Sequence, residues 1–427
     1  MNKKNIGNIV MMALVVTNIA SWVIFAPAND GSRAHFTRQL VAEVIASTAV
    51  LLLACNLLLS TRIRLLEPYF GGLDQMYQSH KRAGMLAIFL LFAHLFTVPL
   101  NASQRKPGSP LGVIAFLGLL TLVLLTIAPR IPVIGRFTRF AYDKWRRSHS
   151  FIGIFFIIGF AHAMLVDPLV RTTTVPFLYL RIFFAVGATS YLYAVLIAKT
   201  RKTNPHVVEG VRKLNGTAAE IVLKPQGEKL AFKAGQFIFV RFEGDRTLAE
   251  PHPFTITSAP HEDCLRLAVR ASGDWTQYLY DHLKPGTLTK VDGAYGMFDY
   301  KTGGKQQIWI AGGIGLTPFL SWIRDFGGQP SDYKIDFYYC MRVPGDALFL
   351  AEMERAAAQS NHFRLHVSRS NTDGHLSVEK VVATSGAITD KEVYMCGPIA
   401  MTQALEKALM KHGIPAGRIH FEEFNFR

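Results

Sequence analysis

Residues 80–94 read HKRAGMLAIFLLFAH and residues 149–162 read HSFIGIFFIIGFAH, two apolar segments each opened and closed by a histidine. Of the chain's 14 histidines, only His80, His94, His149 and His162 fall inside apolar segments. An imidazole in lipid is costly unless it is used, so ionisable residues within a membrane span mark functional sites. At ~1.5 Å per residue, the spacing from His80 to His94 separates two ligands by ~21 Å, about two-thirds of a ~30 Å hydrocarbon core. Two neighbouring helices bearing such pairs can clamp one haem near each membrane face, which makes a two-haem path for electrons. At ~100° per residue His80 and His94 lie within ~40° of one helix face, whereas His149 and His162 lie ~140° apart. The second helix is therefore expected to bend, or to present its ligands at different azimuths. The alternative is four core histidines satisfied by interhelical hydrogen bonds; the matched spacing of the two pairs argues against it.

Around these segments the chain divides in two. With 427 residues, 50% of them hydrophobic, it exceeds one domain and is unlike a purely soluble protein. Six apolar spans are expected at 6–27, 38–60, 80–100, 111–129, 148–166 and 176–198, each near the ~20 residues a spanning helix needs. No small-residue cleavage site follows Phe25-Ala26-Pro27, so the first is read as a helix rather than a removed signal peptide. With the N-terminus inside, the inner segments carry Lys3 and Lys4; Arg62, Arg64, Lys81 and Arg82; Arg130, Arg136, Arg139, Lys144, Arg146 and Arg147; and Lys199, Arg201 and Lys202. The outer segments carry only Arg33, Arg38, Arg105, Lys106 and Arg171. This asymmetry places both termini in the cytoplasm of a multi-pass cell-membrane protein. His80 and His149 become the inner ligands, and His94 and His162 the outer ones. The same asymmetry, with anionic lipid headgroups, accounts for much of the +15 net charge, and a nucleic-acid partner is not required. Cys55, Cys264, Cys340 and Cys396 show no CxxC spacing, so neither a disulfide framework nor a zinc or iron–sulfur site is indicated.

Past about residue 203 short alternating strands begin. QFIFVRF at 236–242 and LRLAVR at 265–270 have strand composition bounded by turn residues, which predicts an antiparallel barrel to about residue 300. A buried-type strand, QIWIA at 307–311, then leads into Gly312-Gly313-Ile314-Gly315-Leu316-Thr317-Pro318 and an apolar helix. Strands near 335–340, 363–368 and 392–396 alternate with helices near 346–358, 377–384 and 399–412, the pattern of a doubly wound parallel sheet. The glycines allow backbone amides to approach a pyrophosphate at a helix N-terminus, with Thr317 as N-cap and Pro318 first in the helix. A more specific motif is His252-Pro253-Phe254-Thr255-Ile256-Thr257-Ser258.

That motif resembles the flavin motif of the ferredoxin-reductase-like domains in NADPH oxidases and ferric reductases, and the likeness to the bacterial NADPH oxidase and ferric reductase-like transmembrane flavocytochrome b family covers nearly the whole chain. The resemblance implies that Thr255 meets the isoalloxazine of FAD, that His252, Pro253, Phe254 and Thr257 hold its ribityl chain and surroundings, and that Arg270 binds its pyrophosphate; Gly273 and Thr276 are secondary. It further implies that Gly312, Gly313, Gly315, Thr317 and Pro318, with Cys396-Gly397-Pro398, bind the nicotinamide nucleotide. The terminal aromatic, Phe426 or else Phe424, would cover the flavin until nicotinamide displaces it; the trailing Arg427 departs from the family's tail. Ser368-Arg369, at a strand end, resembles the pair that receives the 2′-phosphate of NADPH, a group suited to guanidinium, and Arg342 is a second candidate for it. Thr255, Cys396 and Phe426 are thus the expected catalytic residues.

The expected architecture is a six-helix haem-binding membrane domain at 1–202, an FAD-binding barrel at 203–302 and an NAD(P)H-binding α/β domain at 303–427. The expected function is transfer of electrons from cytosolic NADPH through FAD and two b-type haems to dioxygen outside, yielding superoxide. A ferric-chelate reductase, or an electron-transfer subunit feeding a protein or quinone, are the alternatives. Arg38, at the outer end of the second helix, is read as a helix-end anchor before a partner of haem propionate. No calcium-binding loop or regulatory extension is apparent, which implies constitutive activity without a regulatory partner.

Overall fold

A computed structural model describes residues 5–31, 33–99, 107–128, 142–166, 168–197, 203–326 and 332–422. The chain forms two compact units, Met1–Arg201 and Lys202–Arg427.

The first unit is helical: α1 (Ile6–Ile24), α2 (Phe36–Ser60), the single turn α3 (Glu67–Phe70), α4 (Leu73–Thr97), α5 (Ser109–Ile127), α6 (Tyr142–His149), α7 (Ile152–Leu165) and α8 (Val175–Leu192), which continues as a π-helical turn to Ile197. Five stretches, Ile6–Ile24, Phe36–Ser60, Ser109–Ile127, Trp145–Leu165 and Val175–Ile197, are long and apolar enough to cross a membrane. The expected span 80–100 is also a helix, but it begins at Leu73 and its first half carries Asp74, Lys81 and Arg82, so its composition is more polar than that of the other five. Large apolar side chains such as Met12, Val23, Phe89 and Phe96 are turned outward, at 67–76% exposure. That pattern suits a lipid-facing surface, because lipid offers no penalty for it. Inside the bundle, polar side chains bond between helices: Asn18 donates to Ser47 and Thr48, and the Trp22 indole donates to Ser47. Small residues allow close packing. A Cβ on Gly118 would sit 2.2 Å from Phe155, and one on Gly187 2.6 Å from Phe156.

The 148–166 span does not run as one helix. It breaks after His149: Phe151 N–H bonds back to the Ser148 carbonyl, and α7 restarts at Ile152. The break falls between His149 and His162, the pair whose thirteen-residue spacing calls for a bend or for different azimuths.

The second unit opens with six antiparallel strands, β1 (Asn204–Asn215), β2 (Ala218–Pro225), β3 (Phe237–Phe242), β4 (His252–Thr255), β5 (Leu265–Arg270) and β6 (Leu288–Tyr295), in the order β4-β3-β6-β1-β2-β5. A bridge from Ile256 to Leu267 joins the first strand's end to the last strand, so the sheet curls towards closure. Val208, Ile221, Ile238, Val240 and Leu267 fill its interior, and α9 (Asp274–His282) follows β5. The remainder is a parallel sheet of β7 (Gln306–Gly312), β8 (Lys334–Met341), β9 (Phe363–Arg369), β10 (Glu392–Cys396) and β11 (Ile419–Glu422), ordered β11-β10-β7-β8-β9. Helices α10 (Thr317–Phe326), α11 (Leu350–Gln359), α12 (Val378–Ser385) and α13 (Ile399–Lys411) connect the strands. From β7 the chain winds outward through β8 and β9, then returns to place β10 on the other side of β7. The switch point therefore lies between the carboxyl ends of β7 and β10, where open α/β sheets bind their ligands.

Candidate functional site

In the helical unit, the rings of His80 and His149 lie edge-on to one another, with centroids 6.4 Å apart and planes inclined at 64°. Two metal–imidazole bonds of ~2.0–2.1 Å, with a ring-nitrogen-to-centroid distance of ~1.1 Å added at each end, require about 6.3 Å, so the spacing fits two imidazoles on one iron. His80 Nδ1 lies 3.1 Å from the Asn56 carbonyl oxygen, His94 Nδ1 2.9 Å from that of Ala42, and His162 Nδ1 2.9 Å from that of Gly108. Each of these rings thus donates Nδ1–H to main chain, which leaves Nε2 with a free lone pair. A metal-bound histidine is normally held in this way. Ala42 and Asn56 are fourteen residues apart on α2, matching His94 and His80 on the antiparallel neighbour α4, so one helix serves as a rail of acceptors for both histidines. His149 is held more loosely, by Thr126 Oγ1 at 3.4 Å and by stacking on Trp145 at 5.2 Å. A Cβ on Gly112 would lie 2.6 Å from the His162 ring, so this glycine permits α5 to approach that ring. Arg38 donates to the carbonyls of Phe96 and Thr97. It caps the C-terminal end of α4.

In the second unit, Thr255 is buried at the end of β4 and its hydroxyl has no partner within the protein, although a buried hydroxyl without a hydrogen bond is costly. That orphan suits a ligand-facing position. The His252 ring stacks on the Trp275 indole of α9 at 3.9 Å, Phe254 packs on the same indole at 5.8 Å, and the Trp275 N–H is itself buried without an acceptor. Pro253 pairs with Phe239 in the β4–β3 ladder. Gly273 is the N-cap residue of α9, and the Thr276 hydroxyl oxygen accepts from the N–H groups of Ser272 and Gly273, closing that turn. Thr257 is fully buried, and its carbonyl receives the Arg324 guanidinium at 3.0 Å. Arg324 also forms an ion pair with Glu352 at 2.7 Å and reaches Glu220 at 3.4 Å, which ties barrel to parallel sheet. Nothing in the local sequence pattern singled it out.

Arg270 ends β5 and lines one cavity with Gly313 and Ile314 of the glycine turn, together with Asn215, Thr217, Ala218, Asp346 and Leu348. Gly313 has φ +55°, a region glycine enters without strain. The turn Gly313–Leu316 is 3-10 helical and leads directly into α10, so Thr317 is already helical, with φ −55° and ψ −46°. It is not the expected N-cap, and Pro318 falls second in α10 rather than first. The glycine turn abuts the second nucleotide motif. A Cβ on Gly315 would meet the Cys396 carbonyl oxygen at 2.3 Å, and one on Gly312 would meet Pro398 at 2.8 Å. A Cβ on Gly397, in turn, would lie 3.0 Å from Gly312 Cα. Two motifs more than eighty residues apart thereby form one cradle at the switch point. The Cys396 side chain is wholly buried, and burial, reinforced by the nearby Glu422 carboxylate, pushes its thiol well above the usual range; at neutral pH it is a thiol, not a thiolate.

Ser368 and Arg369 end β9 beside Cys340 and Met341, so Arg342, which follows β8, lies at the same end of the sheet. Asp373 accepts the Arg369 backbone N–H at 2.8 Å, whereas the guanidinium Nε is buried without a partner. Phe424 and Phe426 lie outside the described residues.

Three family models match consecutive stretches: a ferric reductase like transmembrane component at 45–160, an FAD-binding domain at 209–304 and an oxidoreductase NAD-binding domain at 309–407. The chain joins a ferric reductase-like transmembrane component to FAD- and NAD-binding domains. It is therefore a multi-pass membrane oxidoreductase that uses FAD and NAD(P)H. The transmembrane match contains His80, His94 and His149 and ends just before His162. The carnitine monooxygenase reductase subunit of Escherichia coli (strain K12) is 29% identical over 199 residues, 45% of this chain and 59% of that protein. Dual oxidase 2 of Sus scrofa is 33% identical over 199 residues, 42% of this chain and 13% of that protein. The chain thus spans little more than half of the reductase subunit's length and a small part of the dual oxidase. A flavohemoglobin from Malassezia yamatoensis, solved with FAD and heme, aligns over 91% of this ferric reductase-like chain and 97% of its own, with 18% identity and a TM-score of 0.53; this likeness is one of fold.

Proposed function

We propose that this protein carries electrons from cytosolic NADPH across the membrane to dioxygen, with FAD and two b-type haems as its cofactors and superoxide as its product. The observation that carries the reading is the His80–His149 pair, whose 6.4 Å separation matches two imidazoles on one iron, with His94 and His162 as the corresponding outer pair. FAD, when bound, takes a hydride and releases electrons singly, and the haems supply the steps across the bilayer. The protein's residues do the rest. Residues 303–427 bind the nucleotide, Gly312–Gly315 and Cys396–Pro398 shaping the cradle and Arg369 meeting the 2′-phosphate. Residues 203–302 would hold FAD, the unpartnered Thr255 hydroxyl being available to its ring and Arg270 to its pyrophosphate. By the family resemblance, the terminal aromatic, Phe426 or Phe424, would cover the flavin until nicotinamide displaces it. Residues 1–202 span the membrane with both termini inside and hold the haems through His80, His149, His94 and His162.

With His80 and His149 holding one haem and His94 and His162 the other, each haem would supply single electrons to dioxygen without binding it, and the product would be superoxide. The balance is NADPH + 2 O₂ → NADP⁺ + H⁺ + 2 O₂⁻. The dual oxidase relatives favour dioxygen, while the family description of the membrane component favours ferric chelate as the second reading. Purified protein given NADPH under air is expected to reduce a dye in a reaction that superoxide dismutase suppresses. Fast ferric-chelate reduction without air, combined with no superoxide in air, would replace the first reading by the second.

A further inference from the structure

Asn56 is a buried polar side chain within the apolar span α2, and it grips the turn of α4 that carries His80 at three points. Its main-chain carbonyl accepts His80 Nδ1–H at 3.1 Å. Its side-chain amide, oriented by the groups around it, donates to the His80 carbonyl at 3.0 Å and accepts the Gly84 N–H at 2.8 Å. Those two α4 groups, residues i and i+4, are the partners of one another in a regular helix, so the amide lies against a single rung of the ladder. It fits because residue 84 is glycine: a Cβ there would come within 3.0 Å of the amide. His94 has the equivalent main-chain anchor at Ala42 but, since residue 42 is alanine, no side-chain clamp.

From this asymmetry we infer that Asn56 is a positioning residue for the inner haem ligand, setting the azimuth and tilt of the His80 ring towards His149. The inference rests on the two-haem reading. Side chains that orient a metal-bound histidine tune the metal as well as hold it. The expected signature is therefore a selective change at one haem, which a general packing role would not produce.

The test uses the full-length protein with its haems, comparing Asn56→Leu with Gly84→Ala. The first removes both amide bonds while keeping side-chain bulk and the main-chain carbonyl; the second pushes the amide off the same rung by a single methyl. His80→Ala and His94→Ala identify which low-spin ferric signal, by electron paramagnetic resonance, belongs to the inner haem and which to the outer. Both test variants are expected to shift the signal that His80→Ala abolishes, and to shift that haem's midpoint potential, while leaving the outer signal in place. The double variant should shift it no further than the larger single one. With two haems retained, unmoved signals in both variants, or equal movement of inner and outer signals, would overturn the inference. If Asn56→Leu fails to accumulate, Gly84→Ala decides alone. A wild-type protein lacking two low-spin haems would instead overturn the relay and this inference with it.

Discussion

Gly315→Ala tests whether the two nucleotide motifs form one cradle. Its methyl would sit 2.3 Å from the Cys396 carbonyl oxygen, 2.6 Å from the Cys396 carbonyl carbon and 2.8 Å from Gly397 Cα. All three are main-chain atoms, so no side-chain rotation relieves the clash. Ordinary contact begins near ~3.5 Å, which means the carboxyl ends of β7 and β10, paired as Ala311 with Cys396, must part by about an ångström. Overpacking of a close-fitted interior costs about 1–3 kcal/mol, and if that cost falls on the nucleotide-competent arrangement, NADPH affinity drops by ~5- to 150-fold. The assay is stopped-flow reduction of bound flavin across a range of NADPH concentrations, with FAD content and thermal stability measured alongside. Weaker NADPH binding is expected at normal FAD content, because Thr255 and its neighbours belong to the barrel. A variant with wild-type NADPH dependence would refute the claim that these motifs jointly seat the nucleotide.

Arg369→Ala should lose a charge-assisted contact worth roughly 1.5–3 kcal/mol, lowering the preference for NADPH over NADH about ten- to a hundredfold with NADH kinetics barely changed; equal weakening of both nucleotides would assign Arg369 a structural role. His94→Ala or His162→Ala should halve haem content and remove the outer haem, and full haem content in all four single histidine variants would end the two-haem reading. The fragment 203–427 is expected to bind FAD and reduce a soluble dye with NADPH in the absence of haem; a folded fragment that fails to bind saturating FAD would contradict the Thr255 assignment. His206 is buried on β1 with Nε2 unpartnered, and burial lowers its pKa despite the hydrogen bond to the Asn204 carbonyl. Below its ordinary value near ~6.5 the unfolded chain takes up a proton that the folded barrel refuses. Barrel stability should therefore be full above that pH and fall as pH drops beneath it, reaching a lower plateau below the folded pKa. His206→Gln should flatten that slope in thermal melts.

The parts of this account that sequence could supply are those written in side chains. The histidine pairs, the switch from long apolar spans to short strands near residue 203, and the glycine turn after β7 are all visible as residue type and spacing. Thirteen residues at ~100° each call for a bend or for different azimuths in the second histidine helix; the structure shows an interruption after His149. The acceptors that hold the histidine rings were not legible, because they are main-chain carbonyls of Ala42, Asn56 and Gly108, and every residue carries one. Asn56 itself looks like an isolated polar residue in a leucine-rich helix until Gly84 is brought opposite it. The earlier start of α4 escaped detection because its first turns are polar. β11, only four residues long, offers too little alternation to be recognised, and Arg324 gains its meaning only when Glu220, Thr257 and Glu352 converge on it from separate elements.

The central claim is that one chain passes electrons from nucleotide to paired haems. Adding NADPH to the purified, FAD-replete protein under strict anaerobiosis, while following the haem absorption bands against the total haem per chain, addresses it most directly. Two b-type haems per chain are expected, both becoming reduced, with rapid reoxidation and superoxide formation when air is admitted. A protein with fewer than two haems per chain, or one whose flavin is reduced while both haems stay oxidised, would contradict it.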